Sequence, residues 1–295
     1  MFAEFDLVIP TDLDQALQIL AQGGREGGTK DSNGTVPLAG GTNLLVDIRA
    51  RRAAPTCLLG LDKLEELRGI VVDHGRVSIG GRTTMSDILL DPRMLQYAPS
   101  LVESARVFGG QMVRNTATVA GNICYGSPAA DAVPPLLSLD AEVVLANRTR
   151  RRVVPLHQFF LGYKEDVRHS DELVAGIAWP VPAVRSANLF YKLARRKGDA
   201  ITVAGVAITV AVEAGKCTAA RIALGAVAPV VKRAPAAEEM LVGQVLTPTV
   251  IEAAARQAAE TCEPIDDVRA SAEYRLHSIH VLTRRLLTQA WEQLS

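Results

Sequence analysis

Pro37-Leu38-Ala39-Gly40-Gly41-Thr42-Asn43-Leu44-Leu45 sets paired glycines between apolar residues and a short polar pair. Residues without a Cβ fill space poorly, but their backbone lies flat against a ligand and turns successive N–H groups toward it. A second stretch of the same chemistry, Ala117-Thr118-Val119-Ala120-Gly121-Asn122, follows later in the chain. Either stretch alone reads most simply as a tight turn between packed elements. The pair, with apolar flanks and each running toward a helix start, predicts a clasp around a long phosphate-bearing cofactor.

Working outward from the first loop, Val36–Ala39 reads as the strand that delivers it and Asn43–Arg51 as the helix that follows. Upstream, Phe5–Ile9 reads as a strand. Thr11 or Asp12 caps a helix in which Leu13, Ala16, Leu17 and Leu20 recur at helical spacing. Residues 23–34, rich in glycine and polar side chains, read as a mobile loop. Downstream, Cys57–Leu61 is a buried strand and Asp62 caps a brief helix, which completes a small βαβαβ unit.

From Gly69 the period changes. Ile70–Asp73 and Val77–Gly80 flank a His74-Gly75-Arg76 turn as a β-hairpin. Thr83–Leu90 and Pro99–Phe108 read as helices, the second stopped by Gly109-Gly110. Past the second glycine loop, Ser127 caps a helix with Pro128 in its first turn, and Pro134 and Pro135 break that helix into two pieces. Residues 141–146 and 150–154 form another hairpin, with Arg148–Arg152 as its solvated tip. The proline-bracketed stretch Pro180-Val181-Pro182-Ala183 marks a domain boundary. Beyond it, strands over 188–194, 200–212 and 217–227 precede helices over 234–241, 248–262 and 271–294, a three-stranded sheet backed by a helical layer.

Bulk properties remove several function classes. The 295 residues carry 32 Lys+Arg against 32 Asp+Glu, so no global charge favours nucleic acid or an anionic membrane. The sequence has no uninterrupted apolar run long enough for a span, and Met1–Asp6 lacks a basic start followed by an apolar run, which predicts a cytoplasmic chain without membrane insertion. The 4 cysteines lie far apart without a Cys-x-x-Cys pair, and the 5 histidines offer few ligands, so no metal site is expected on this chain. No Gly-x-Gly-x-x-Gly follows a strand, and neither a Walker A loop nor a zinc or serine hydrolase motif occurs.

Four features in order, the first glycine loop, Thr118-Val119-Ala120-Gly121-Asn122, Ser127-Pro128-Ala129-Ala130-Asp131 and Tyr191-Lys192-Leu193-Ala194-Arg195-Arg196, resemble the FAD-binding medium subunit of the molybdenum hydroxylases. That family includes xanthine dehydrogenases, carbon monoxide dehydrogenases and aldehyde and N-heteroaromatic oxidoreductases. The resemblance implies an α+β chain. An FAD-binding domain of the vanillyl-alcohol-oxidase type would cover 1–180, in two α/β lobes of about 1–60 and 61–180. A small carboxy-terminal flavoprotein domain of the CO dehydrogenase type, with a three-stranded antiparallel sheet and a helical layer, would cover 185–295.

Carried over by position, the resemblance assigns FAD contacts to Val36, Pro37, Leu38, Ala39, Gly40, Gly41, Thr42, Asn43 and Leu44, largely through main-chain donors, with Leu45 continuing them. Thr118, Ala120, Gly121 and Asn122 would close over the cofactor. Phe108 falls at a flavin-facing aromatic position or packs in the core. Tyr125 matches a polar position beside the cofactor. Asp131 matches an acid that binds it, or else stabilises a helix start. Val174 would approach the isoalloxazine through its backbone, Lys192 would stand at the ring's pyrimidine end, and Asp199 falls where some relatives place a mobile acid. Many relatives carry two glycines where this chain has Ala120-Gly121, so a methyl group enters a loop expected to need free φ.

The resemblance further implies an electron-transfer subunit with no catalytic acid or base of its own. A large partner would carry the molybdenum cofactor and a small partner two [2Fe–2S] clusters, arranged as a dimer of heterotrimers. Electrons would leave to NAD⁺, oxygen or another carrier, and export with a signal-bearing partner stays open. A self-contained FAD oxidoreductase with its own substrate pocket, or a non-enzymatic nucleotide-binding module, are the rival readings; turnover by the isolated chain and flavin absorbance separate them.

Overall fold

The structure is a computed structural model that describes residues 4–23 and 34–295. The loop expected over 23–34 lies almost wholly outside the described residues. The chain divides into two compact units. One comprises residues up to Asp87 with Gln111–Gly126 and Glu142–Trp179; the other comprises Ile88–Gly110, Ser127–Ala141 and Pro180–Ser295.

The first unit begins with a parallel sheet in which Cys57–Gly60 lies between Asp6–Val8 and Thr35–Leu38. Helix Leu13–Gly23 covers one face, burying Leu13, Ala16, Leu17 and Leu20 with Leu59. Helix Leu44–Arg49 covers the other through Ile48, packed on Val36 and Leu58. Leu58 and Leu59 are successive residues, and in a strand successive side chains point to opposite faces, so one short strand holds both helices. Asp12 caps the first helix: its Oδ1 accepts from the Gln15 N–H at 2.8 Å. Asp62 does not cap; the short 3-10 turn is Glu65–Leu67, headed by Leu64.

A second sheet of this unit runs in the order Ile70–Asp73, Arg76–Gly80, Leu173–Pro180, Glu142–Ala146, Arg151–Pro155. The strand Leu173–Pro180 was not foreseen. It lies inside the sheet, and its near-continuous apolar run lacks the alternation that marks a half-buried strand. The arginine-rich hairpin tip is solvated only in part. Arg152 turns inward, gripping both Glu172 oxygens at 2.7 and 2.8 Å and the Val167 carbonyl at 2.7 Å. Charge-assisted bidentate bonds of this kind outweigh hydration of one guanidinium when the carboxylate is already buried.

The second unit is built on the antiparallel order Ser186–Ala194, Thr202–Glu213, Lys216–Gly225, extended by the two-residue strand Lys232–Arg233. Thr202–Glu213 is buried along all but its last residue, so both of its faces are covered. Val206, Ile208, Val210 and Val212 join the core formed with helices Pro248–Glu260 and Ala272–Leu294. Helices Pro99–Arg106 and Val133–Ser138 pack on the same sheet. Asn188 ties these elements together: its Oδ1 accepts from the Ser100 N–H at 2.9 Å, and its Nδ2 donates to Ser138 Oγ at 3.2 Å and Thr209 Oγ1 at 2.7 Å. The helical layer read from the carboxy-terminal sequence is thus joined by helices from earlier in the chain.

Ser127-Pro128 does not start a helix. The helix is Val133–Ser138, and Pro134 and Pro135 occupy its first turn rather than breaking it. First-turn N–H groups have no intrahelical acceptor, so a residue lacking one is tolerated there.

Helix Ala272–Leu294 carries a buried arginine, Arg275, which donates to the carbonyls of Val203 at 2.7 Å and Ala226 at 2.9 Å and to Asp267 Oδ1 at 2.7 Å. Burial raises the Asp267 pKa, but bonds from Arg269 and the charge of Arg275 overcome it and hold the carboxyl well below the usual range. A carboxyl depressed in the folded state contributes stability above its unfolded value of about 3.9, and that contribution goes as pH falls through the folded value. Asp267→Asn is expected to lower stability by about 3 kcal/mol at pH 7, since it strands a buried guanidinium. Urea titrations at stepped pH should show the gap to wild type narrowing below about pH 4.

Candidate functional site

The first glycine loop leaves strand Thr35–Leu38 at the carboxyl end of the parallel sheet, the end at which open α/β sheets take ligands. Gly41 has φ +68°, turning the chain toward helix Leu44–Arg49. Asn43 heads that helix without a side-chain cap bond. The N–H groups of Gly40, Gly41, Thr42 and Asn43 donate to no acceptor among the described residues. Val36 is in the core, and Leu38 and Leu44 pack against it, so their side chains hold the loop in place. Pro37 and Ala39 are half-buried, and the loop offers mainly its backbone to a ligand.

Gly40 brings the two loops together. A Cβ on it would stand 1.8 Å from the Thr116 carbonyl oxygen and 3.0 Å from the Ala117 nitrogen, so the first loop lies directly on the backbone that opens the second. The second loop is held from its other side by Thr83–Met85: Met85 N–H donates to Ala117 O at 3.0 Å and Val119 N–H to Thr83 O at 2.9 Å, around the bridge Thr84–Thr118. Thr118 then caps helix Val119–Cys124, its Oγ1 accepting from the Gly121 N–H at 3.0 Å. Ala120 lies inside that helix, absent from the residues with positive φ, and its methyl is buried. Alanine therefore meets no conformational conflict at this position. Asn122 is buried and Gly121 is exposed beside it.

Tyr125 ends the same helix, half-buried, with the Lys164 ammonium 4.2 Å above its ring centroid. Burial pushes its phenol above the ordinary value, with Lys164 working against that shift. Val174 is buried in strand Leu173–Pro180, and its carbonyl oxygen comes so close to Gly81 that a Cβ there would stand 2.3 Å away. Gly81 was not singled out from the sequence; its role is visible only once the two strands are neighbours.

In the second unit, Asp131 and Lys192 meet: Nζ donates to Oδ2 at 2.6 Å, with the two side chains 9% and 4% exposed. Lys192 Nζ also donates to the Val107 carbonyl at 3.3 Å, Thr202 Oγ1 donates to Asp131 Oδ1, and Ser104 Oγ donates to the Asp131 carbonyl at 2.7 Å. Burial pushes the Asp131 carboxyl above its usual value, partly offset by Lys192 and Thr202. Asp131 is thus engaged by an ion pair; it does not lie at the start of a helix running from Ser127. Phe108, half-buried, follows helix Pro99–Arg106. Asp199 is exposed in a tight turn with φ +46° beside Gly198 at +76°, its carbonyl accepting from Arg196 at 2.7 Å.

Burial pushes the Cys124, Cys217 and Cys262 thiols up to about 11, which keeps them protonated at neutral pH. No helix among the described residues is long and apolar enough to cross a membrane.

Residues 3–182 match the family model described as the FAD binding domain in molybdopterin dehydrogenase, and residues 189–290 match the CO dehydrogenase flavoprotein C-terminal domain. The carbon monoxide dehydrogenase medium chain of Hydrogenophaga pseudoflava is 31% identical over 97% of both chains. The nicotinate dehydrogenase FAD-subunit of Eubacterium barkeri is 32% identical over 99% of this chain and 97% of its own. A solved structure of the Hydrogenophaga pseudoflava carbon monoxide dehydrogenase, in a form lacking the Mo-pyranopterin moiety of its cofactor, superposes with a TM-score of 0.93 at 32% identity and full coverage of both chains. A glycine cradle at the end of a parallel sheet, both domain matches and similarity along nearly the whole length agree: the chain belongs to the FAD-binding subunits of the molybdenum-containing dehydrogenases, an oxidoreductase subunit.

Proposed function

We propose that this chain is the electron-transfer subunit of a heteromeric molybdenum hydroxylase, taking electrons from [2Fe–2S] clusters of a small partner and passing them to an external acceptor. Bound FAD would supply the redox chemistry, accepting electrons singly and yielding them to a one- or two-electron acceptor. The chain's own work is to bind and orient that group. The observation that carries this reading is the Gly40 contact: it packs two glycine loops backbone to backbone and leaves the N–H groups of Gly40–Asn43 without a described acceptor. Such a row of donors fits a pyrophosphate, and being main-chain it does not titrate.

Val36–Leu44 and Thr118–Asn122 are the proposed loop contacts, with Tyr125 and Val174 beside them. Phe108, Asp131 and Lys192 are proposed as cofactor residues on the resemblance, and the domain boundary is proposed at Pro180–Ala183, between domains of 1–180 and 185–295. The two family-model matches, over 3–182 and 189–290, support a division in this part of the chain. The names of the relatives, a medium chain and an FAD-subunit, support partner subunits in a multi-subunit enzyme; a large molybdenum-cofactor partner, a small iron–sulfur partner, a dimer of heterotrimers and a cytoplasmic location are proposed on the resemblance. Relatives named for carbon monoxide and for nicotinate are similarly close, which supports placing substrate choice on a partner.

A tagged chain recovered from its native host should bring down polypeptides that carry molybdenum and iron. Recovery of the chain alone, turning over a reductant in isolation, would instead establish a self-contained flavin oxidoreductase.

A further inference from the structure

Lys164 occupies a position that neither the sequence motifs nor the family match singles out. It forms the turn between the short strands Phe160–Gly162 and Glu165–Asp166 with φ +59°, a left-handed conformation uncommon for a residue with a side chain. Strain of this kind costs about 1–2 kcal/mol and persists where surrounding contacts enforce it. Three contacts do so. The Lys164 N–H donates to the Gly126 carbonyl at 3.2 Å; Gly126 itself has φ +63°, and a Cβ on it would stand 2.7 Å from Lys164 Cα. The ammonium lies 4.2 Å above the Tyr125 ring centroid. The same Nζ reaches Asp47 Oδ2 at 3.4 Å.

These partners have a common feature. Asp47 is on helix Leu44–Arg49, which continues from the first glycine loop, and Tyr125 and Gly126 end the helix that continues from the second. Asp47 is buried, at 10% side-chain exposure, and its other neighbouring cation, Arg52, is 67% exposed and 3.5 Å away, so Lys164 is the better-sheltered counter-charge. The attraction between charges is screened less where they are sheltered, and removing one partner then leaves the other uncompensated, whereas exposed pairs contribute little.

We propose that Lys164 is a positioning residue that spans the helices behind the two glycine loops and sets the spacing of the FAD cradle. This rests on the proposed FAD-binding role. Lys164 acts through Asp47 and Tyr125; the loops themselves make the cofactor contacts. Without the ammonium, the Gly40–Thr116 contact still joins the loops at one end, while at the other the direct Tyr125–Asp47 contact loses the cation that both side chains share.

The test removes and restores flavin on the full-length chain and follows FAD by fluorescence quenching. Lys164→Met is expected to weaken FAD at least tenfold, Asp47→Asn by a smaller factor, and the double variant no further than Lys164→Met alone. Lys164→Arg, which keeps the charge and the ring contact, is expected to recover most of the affinity. At saturating FAD the visible circular dichroism of the bound flavin should differ between Lys164→Met and wild type, a change that a mere loss of stability would not produce. Should Lys164→Met fail to fold, the Asp47→Asn affinity and dichroism decide the matter. Wild-type affinity and dichroism in these variants overturn the proposal while leaving the FAD reading intact. A wild-type chain that binds no FAD removes both.

Discussion

Gly40→Val is expected to yield a chain purified without flavin. The added side chain begins with an atom 1.8 Å from the Thr116 carbonyl oxygen and 2.4 Å from its carbon, and both belong to backbone that cannot rotate aside. The two loops must part, and the row of N–H donors is displaced with them. The other glycines should be graded below it. At Gly41 the conflict is with Leu45 Cδ1 at 2.9 Å, a flexible side chain, together with φ +68°, so Gly41→Ala pays about 1–2 kcal/mol of left-handed strain and keeps part of its FAD. At Gly121 the new atom meets Thr118 Oγ1 at 2.8 Å, and turning that hydroxyl away loses a helix cap worth about 1 kcal/mol. The ratio of flavin to protein absorbance, with far-ultraviolet circular dichroism as the check on folding, should rank wild type, Gly121→Ala, Gly41→Ala and Gly40→Val in that order. Wild-type flavin content in Gly40→Val would mean that the loop contact does not set the cradle.

The second large effect is expected in the Asp131–Lys192 pair. Asp131→Leu leaves the Lys192 ammonium, 4% exposed, with the Val107 carbonyl but no counter-charge, a loss of about 3–5 kcal/mol. Lys192→Met leaves a carboxylate that has a way out. Burial already holds the Asp131 pKa above its ordinary value, and without the ammonium the carboxyl will take up a proton more readily. The sign follows from linkage: a folded state that binds the proton more tightly than the unfolded one gains stability as pH falls from the folded value toward the unfolded one, about 3.9. Urea unfolding of Lys192→Met should therefore show partial recovery on mild acidification, and Asp131→Leu should not. The double variant, with neither charge, should be more stable than Asp131→Leu. Equal losses at every pH would contradict the pair as the source of the effect.

Much of the fold was legible because its signals are local. The period of Leu13, Ala16, Leu17 and Leu20, the Asp12 cap and the glycine turn at Gly41 act within one helix or one turn, and each is found where the spacing predicts it. The carboxy-terminal strands and helices were legible for the same reason. What escaped depends on partners distant in sequence. Arg152 reads as one more charge in a solvated run until Glu172 is beside it, and Asn188 as an ordinary strand residue until Ser100, Ser138 and Thr209 surround it. Pro134-Pro135 reads as a breaker because the true helix start, three residues beyond Ala130, carries no capping side chain.

The candidate site divides along the same line. Its glycine loops carry their chemistry in the residue types themselves, so both were readable. That Gly40 fastens one loop onto the other is a matter of a single close approach, invisible in spacing. Ala120 shows the reverse: as a departure from a paired-glycine pattern it suggested a conformational conflict, yet the backbone there is helical and accepts a methyl.

The most direct test of the account is the flavin itself. The chain, purified gently with whatever accompanies it, should show flavin absorbance bands, and the nucleotide released on denaturation should be FAD in stoichiometric amount with the chain, not FMN. A folded chain that is colourless, and that still fails to bind added FAD, would contradict the central claim that Gly40-Gly41 and Gly121-Asn122 form a cradle for that cofactor.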